Sequence, residues 1–367
     1  MIKSLRIRLK PTKTQELQLI KSANIARFVY NYTLNMQIEN YKLGNKFISD
    51  NDIRKKITQL KKTELYFLSE VSNNVAKQAV KDCCNAYKNF FNKKAKFPRF
   101  KSKKKNKLSF YNDNVKLKSN GSKVLIECVG WIKLAEELPI CKYNNPRISY
   151  DNKHWYLSVG IEYENPRIEL TNEKIGIDLG IKDLAILSNG KVYRNINKTK
   201  KVKQVKKKLK RLQKQCSRKY IKNKEGNRYL KTANIVKLEK KISLLHRKLS
   251  NIRNNYLHQV TTEIVKTKPF QINIEDLNVS GIMKNKHLSK AIQEQCLYKF
   301  ITILTYKCEF YGIKLIKVPR FYPSSKTCHN CGNIKKDLKL SDRVYKCECG
   351  HTMDRDLNAS LNIRDWN

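Results

Sequence analysis

The spacing of apolar positions changes period several times along this chain. Leu5, Ile7 and Leu9 alternate with Arg6, Arg8 and Lys10, which predicts an opening strand. Pro11 precedes Thr12 and Gln15, a capping-box pair, and a helix carrying Leu17, Ile20, Ala23 and Ala26. Ile53, Ile57 and Leu60 mark a second helix. Ala76, Val80, Cys83, Tyr87 and Phe90, at steps of four and three, mark a long third one. Residues 12–95 are therefore expected to form a helical insert. The helical period stops at Phe97-Pro98-Arg99-Phe100. Short strands are predicted beyond it, at 107–111, 115–118, 123–128, 147–150 and 155–163, with a hairpin turn at Asn120-Gly121. Together with the opening strand they predict a small β-barrel built from residues 1–11 and 96–168.

In the second half, Ile175 and Ile177 face one side of a strand while Gly176 and Asp178 face the other. The chain turns at Gly180, and a second strand runs over 184–187. Val202, Val205, Leu209, Leu212 and Cys216 form a narrow seam. After a polar break at 223–227, the spacing resumes through Ile235, Leu238, Ile242, Leu245, Leu249, Ile252 and Tyr256. Two such seams predict an antiparallel helical hairpin over 200–260. Ile272 and Ile274 alternate with Asn273 and Glu275 in a further buried strand. A helix over 291–310 and a strand over 312–318 follow. The last helix opens at Asp354, an N-cap. Asp356, Ala359, Ser360 and Ile363 then share one face. Asp276 rivals Glu275 but lies on the other side of its strand.

Charge changes this picture more than composition does. The 367 residues carry 78 Lys and Arg against 31 Asp and Glu, a net charge of +47. An excess of this size opposes folding unless a polyanion offsets it, so nucleic acid is the expected partner ahead of an anionic membrane. Lys and Arg cover the outer faces of the hairpin, which is expected to lie against nucleic acid. Basic residues also alternate with Phe97, Phe100, Phe110, Tyr111, Trp131, Trp155 and Tyr156. That mixture suits base stacking, although filling a core is the commoner fate of any single aromatic ring. No apolar run is long enough to span a bilayer, and Met1 is not followed by a signal-peptide core. Most of the eleven cysteines are scattered singly, as in a reduced cytoplasm. A cytoplasmic, nucleoid-associated prokaryotic protein is expected.

Two groups carry chemistry. Asp178, Glu275 and Asp356 stand at two strand ends and one helix start. Three acids brought together repel unless a cation joins them, and a pair of Mg²⁺ ions would satisfy them for phosphodiester hydrolysis. A GIDLG turn also occurs in actin-like and chaperone ATPases. Here Ile181-Lys182-Asp183 follows it instead of small hydroxyl residues, and there is no second glycine-rich loop. The second group is Cys328, Cys331, Cys347 and Cys349, with Gly332 and Gly350 after the pairs: a structural Zn²⁺ ribbon over 322–352. The second pair is C-x-C, one residue tighter than a usual knuckle, which leaves His351 or His329 as a substitute ligand. Lys326, Lys335, Lys336 and Arg343 suggest that the ribbon also touches DNA.

GIDLGIKDLAILSNG, INIEDLNVSG, SSKTCHNCG, LKLSDRVYKCECG and DRDLNASLNI together resemble the TnpB (OrfB) proteins of insertion-sequence transposons, as does the opening KSLRIRLKPTKTQELQL. The resemblance runs nearly end to end. It implies an α/β fold with an added β-barrel. An RNase H-like RuvC nuclease domain over 169–367 would contain the basic hairpin and the zinc ribbon. A wedge-type β-barrel would carry the helical recognition insert. It also implies an RNA-guided DNA endonuclease related to compact type V CRISPR effectors, with a transposon-end guide RNA, a double-stranded DNA target and a short target-adjacent motif. A transposase of the same element is a further possible partner. By position, Asp178, Glu275 and Asp356 would be the catalytic Mg²⁺ ligands, and the four cysteines would hold Zn²⁺. Three other activities stay open: guide-dependent DNA binding without cleavage, accessory transposition, and unguided RuvC-type cutting.

Overall fold

In the computed structural model the alternating N-terminal residues form β1 (Ile2–Lys10), with Ile7 and Leu9 buried. All residues are described except 104–105, 166–167, 340–341 and 367. Lys104 and Lys105 of the basic run, the 166–167 end of the expected barrel segment and Leu340-Ser341 of the zinc loop thus lie outside the described residues. The described chain divides into two units, Met1–Glu164 and Asn165–Asn367.

In the first unit, α1 (Lys13–Lys42) begins at a complete capping box. The Gln15 amide donates to Thr12 Oγ1, and the Thr12 amide donates to Gln15 Oε1. α2 (Asp50–Leu60) and α3 (Asn73–Phe91) are capped by Ser49 and Ser72. Cys83 and Tyr87 of α3 pack with Tyr30 and Leu34 of α1.

The following strands are β2 (Ser109–Tyr111), β3 (Lys118–Ser119), β4 (Lys123–Ile126), β5 (Gly130–Leu134), β6 (Tyr143–Tyr150) and β7 (Trp155–Glu162). With β1 they make one antiparallel sheet in the order β2-β6-β7-β1-β5-β4-β3. β4 stops short of its expected end because the chain turns at Cys128, whose φ is +58°. β6 begins earlier than expected. Its first residues cross a register shift between Asn144 and Arg147, which hides their alternation in the sequence. The Arg147 guanidinium donates twice to Asp82, at 2.6 and 2.9 Å, tying the sheet to α3.

The interleaved aromatics divide between the two roles. Phe110 and Trp155 fill the core, while Phe97, Phe100 and Trp131 are exposed. Tyr156 and Tyr111 are half-buried, with the Arg6 and Arg147 guanidinium groups over their rings at 3.9 and 5.5 Å.

The second unit is built on a mixed sheet. β8 (Thr171–Leu179), β9 (Asp183–Leu187) and β10 (Val192–Arg194) run antiparallel. α4 (Lys200–Lys222) leads through the short ribbon β11 (Lys224–Glu225) and β12 (Arg228–Tyr229) into α5 (Ala233–Lys266). Val202, Val205, Leu209 and Leu249 are buried where α4 and α5 pack together. Twelve of the 23 residues of α4 are Lys or Arg and none is acidic, and its buried residues are those of the seam.

β13 (Pro269–Glu275) pairs in parallel with β8. α6 (Val279–Ile282), α7 (Ser289–Gln295) and α8 (Leu297–Tyr311) lead to β14 (Lys314–Val318), which is parallel to β13. The single helix expected over 291–310 is two helices. Cys296 adopts a left-handed φ of +58° between α7 and α8, which breaks the helical hydrogen-bond ladder there. β15 (Val344–Lys346) and β16 (Thr352–Asp354) form a hairpin before α9 (Arg355–Asp365). The sheet order is β10-β9-β8-β13-β14.

Candidate metal sites in the second unit

Ile177 of β8 and Ile274 of β13 are paired, and the next residues along these parallel strands are Asp178 and Glu275. The two carboxylates thus leave the same end of the sheet side by side. The third acid comes from α9, which lies across β8. Gly176 makes this close approach possible: a Cβ there would overlap the Ser360 carbonyl oxygen and the Arg364 amide nitrogen. Buried Asn273 fastens the far end of α9, its Nδ2 donating to the Ile363, Arg364 and Trp366 carbonyls at 2.9–3.0 Å. At the near end, Asp354 caps the helix by accepting from the Asp356 and Leu357 amides.

Asp178, Glu275 and Asp356 consequently line one cavity of about 680 Å³. Lys182, Lys198, Arg343 and Arg355 line it too. Burial, followed by the charges of Asp356 and Glu275, pushes the Asp178 carboxyl up to about 8. Burial raises Glu275 as well, with Asp276 adding to it. Such acids are short of positive charge. Asp356 takes some from Arg355, whose Nε and Nη2 donate to its Oδ1 at 3.2 and 3.0 Å, and from Arg343 at 3.8 Å. Gln295 holds the turn after Asp178 by donating to the Gly180 carbonyl at 3.1 Å. The donor set, all carboxylate oxygen and short of positive charge, fits hard divalent cations such as Mg²⁺.

The cysteine group is tighter. The Sγ atoms of Cys328, Cys331, Cys347 and Cys349 all lie within 4.8 Å of one another. Cys328 to Cys349 is 3.7 Å and Cys331 to Cys347 is 3.6 Å. A tetrahedral ion with Zn–S bonds of ~2.3 Å sets sulfurs ~3.8 Å apart, so these four thiols fit zinc. The four thiols influence one another: the His351 backbone pulls the Cys349 thiol down, while the sulfurs crowded around Cys331 push that thiol up and Cys347 is raised as well. The histidines offered as substitute ligands are not gathered with the thiols. His329 instead sits 3.7 Å from Asp365, and its backbone N–H donates to Asn358 Oδ1. Among the described residues, the cysteines alone bring three or more such ligand atoms within 4.8 Å of one another. The carboxylates are more widely spread around their cavity.

Asn358 and Asn362 link the two groups. Both donate to the Thr327 carbonyl at 2.7 Å, and Asn362 also donates to the Ser324 carbonyl at 2.8 Å. The loop carrying Cys328 is therefore stitched to the helix carrying Asp356. Sequence reasoning missed Arg355, Asn273 and this asparagine pair. The pair had a signal, since two asparagines at i and i+4 on a helix face need partners when buried.

Family models match three segments: "Helix-turn-helix domain" over 1–46, "Probable transposase" over 157–286, and "Cas12f1-like, TNB domain" over 298–363. The first of these segments contains β1 and the single long helix α1. Among curated proteins, "Putative RNA-guided DNA endonuclease InsQ" of Escherichia coli (strain K12) is 32% identical, covering 99% of this chain and 91% of that protein. A "Putative RNA-guided DNA endonuclease" of Streptomyces pristinaespiralis is 31% identical over 98% of this chain and 88% of its own length. The fold matches a Cas12f1–sgRNA–target DNA complex with a TM-score of 0.59 at 16% identity, over 96% of this chain and 82% of that one. It matches a mini-RNA-guided CRISPR-Cas endonuclease with a TM-score of 0.55 at 10% identity, over 99% and 92%.

Proposed function

Since this chain belongs to the OrfB (TnpB) family of IS605-type elements, we propose that it is an RNA-guided DNA endonuclease that cuts through the cavity of Asp178, Glu275 and Asp356. The supporting observation is the meeting of three carboxylates from β8, β13 and α9 at one cavity that four cations also line. The five-stranded sheet with its helices is read as an RNase H-like RuvC domain over 169–367, with the basic hairpin at 200–260 and the zinc ribbon at 322–352. The seven-stranded sheet, residues 1–11 and 96–168, is read as the wedge-type barrel, with 12–95 as its recognition insert.

Asp178, Glu275 and Asp356 would hold two Mg²⁺ ions, which when bound supply the charge that lets water attack a phosphodiester in line. The protein's own residues set up the rest. Asn273 and Gly176 hold α9 against the sheet, so Asp356 stays at the cavity. Lys182, Lys198 and Arg343 draw the anionic backbone into a site whose acids alone would repel it. The zinc ribbon keeps its loop folded onto α9 through Asn358 and Asn362.

The guide is read as a transposon-end RNA. Base pairing would choose the target, and the protein would read the short adjacent motif and the heteroduplex shape. The basic faces of α4 and α5 would grip RNA, with affinity falling steeply as salt rises. The protein would act in the cytoplasm on nucleoid DNA. No helix of the described residues is long and apolar enough to cross a membrane.

The test begins with protein purified from cells carrying its native locus and sequencing of the RNA that stays bound. A plasmid matching that RNA should be cut in Mg²⁺. The Asp178→Ala protein should still bind the RNA and the plasmid but leave both strands whole. Cutting by Asp178→Ala would overturn the assignment. Cutting of branched DNA after RNase treatment would favour an unguided nuclease instead.

A further inference from the structure

The first unit carries an exposed aromatic cluster that the cavity does not use. Phe47, Tyr87, Phe90, Phe91 and Phe97 touch in a continuous series, with ring centroids 5.3–6.0 Å apart. Tyr87 belongs to the core, but Phe91 is 58% exposed, Phe97 46% and Phe47 39%. Rings left in water forgo the burial free energy that aromatic side chains ordinarily gain, and a contiguous exposed patch marks an interaction surface.

The cluster is held in place by its own backbone. Gln37 Nε2 donates to the Ile48 carbonyl and its Oε1 accepts from the Ile48 amide, which pins the loop bearing Phe47 to α1. Asn40 Nδ2 donates to the Lys46 carbonyl at 2.7 Å. After α3 the chain turns at Lys93, with φ of +56°, and the Lys94 amide donates back to the Asn89 carbonyl. That turn brings Phe97 back onto Tyr87 and Phe90. The surface is thus preorganised.

Charge identifies the occupant. Lys42, Lys46, Lys88, Lys93, Lys94 and Lys96 stand exposed in these same segments. Across 39–48 and 86–100 the one acid is Glu39, paired to Lys42 at 3.1 Å. A second copy of the chain would set six lysines against six. Rings amid lysines suit a polymer that has flat apolar faces on an anionic backbone.

We propose that this cluster is a stacking platform for unpaired nucleobases of a nucleic-acid strand. The lysines take the flanking phosphates and the rings take the base faces. None of its residues lines the cleavage cavity, and the proposal does not depend on which acids hold metal.

The test uses the full-length protein in magnesium-free buffer, where cleavage plays no part. Fluorescein-labelled oligothymidylate, oligouridylate and a blunt DNA duplex are titrated by anisotropy. Replacing Phe91 and Phe97 by Leu keeps apolar bulk but removes the π faces. This pair should weaken single-strand binding about tenfold or more and duplex binding less than about twofold, with an unchanged melting temperature. Phe91→Trp should bind as the parent does. Lys88→Gln with Lys94→Gln should flatten the salt dependence. A larger loss on uridylate would assign the platform to the guide, a larger loss on thymidylate to a displaced DNA strand, and equal losses to either strand. The proposal is overturned if the Leu pair binds single strands like the parent or weakens duplex equally. It is also overturned if the Leu pair leaves oligonucleotide binding intact while abolishing self-association or binding to phosphatidylglycerol vesicles.

Discussion

The two candidate metal-binding groups of the second unit differ in construction. The four thiols come from two short turns, and their sulfurs already stand at zinc-like separations. The three carboxylates come from residues 178, 275 and 356, meet only because two parallel strands and a helix are packed together, and are held against their mutual repulsion. The first is a local site that stabilises what surrounds it. The second, if it takes the proposed Mg²⁺, is a global site that would cost stability until the cation arrives. Asn358 and Asn362 join the loop of the local site to the helix of the global one, so on the proposed reading the first would support the second.

The strongest way to break this comparison is to remove the zinc ligands. Cys328→Ser with Cys347→Ser should abolish zinc binding, worth on the order of 10 kcal/mol to such a loop. Metal analysis and limited proteolysis should then show zinc lost and 322–352 cleaved, with plasmid cutting below detection. If cutting persists, the ribbon does not position Asp356.

Gly176→Ala attacks the other side of the comparison. The new methyl has no room beside the Ser360 carbonyl, so α9 must shift at a cost of about 3 kcal/mol. A lowered melting temperature with full zinc occupancy would separate the docking of α9 from the folding of the ribbon. Asn362→Ala tests the link itself. It strands the buried Ser324 carbonyl, while Asn358 still donates to that of Thr327, and denaturant unfolding should show a loss of about 1–3 kcal/mol.

The most gradual effect is one of pH. Asp178 is raised to about 8 in the folded protein, so between its unfolded value, near 4, and 8 the folded state holds more protons than the unfolded one. In magnesium-free buffer, stability should therefore fall as pH rises through this window, by at most about 1.4 kcal/mol per unit. Asp178→Asn should flatten that slope, and saturating Mg²⁺ should do the same. A slope unchanged in Asp178→Asn would show that the Asp178 carboxyl is not raised by its surroundings.

Much of this was legible in the chain, and for a common reason. The Thr12–Gln15 box, the Asp354 cap and the buried stripe Val202, Val205, Leu209, Leu212 and Cys216 each depend on residues a few positions apart. The cysteine spacing has the same character, and so does the strand alternation that set Asp178 and Glu275 apart from their neighbours. Less legible was the break at Cys296, where nothing in the apolar period marks a residue with positive φ. Nor did the interleaved aromatics say which would be buried. Phe110 and Trp155 fill the core while Phe97 and Trp131 stay in water, because neighbours distant in sequence decide each case.

The chain by itself determined the periods, the caps, the basic hairpin and the grouping of zinc ligands, since short-range geometry is written in residue order. Only the folded structure brought three repelling acids to one cavity, laid α9 over Gly176 and left Phe47, Phe91 and Phe97 exposed as one surface. Those outcomes rest on contacts between segments tens to hundreds of residues apart, whose free energies belong to packing and have no periodic signature.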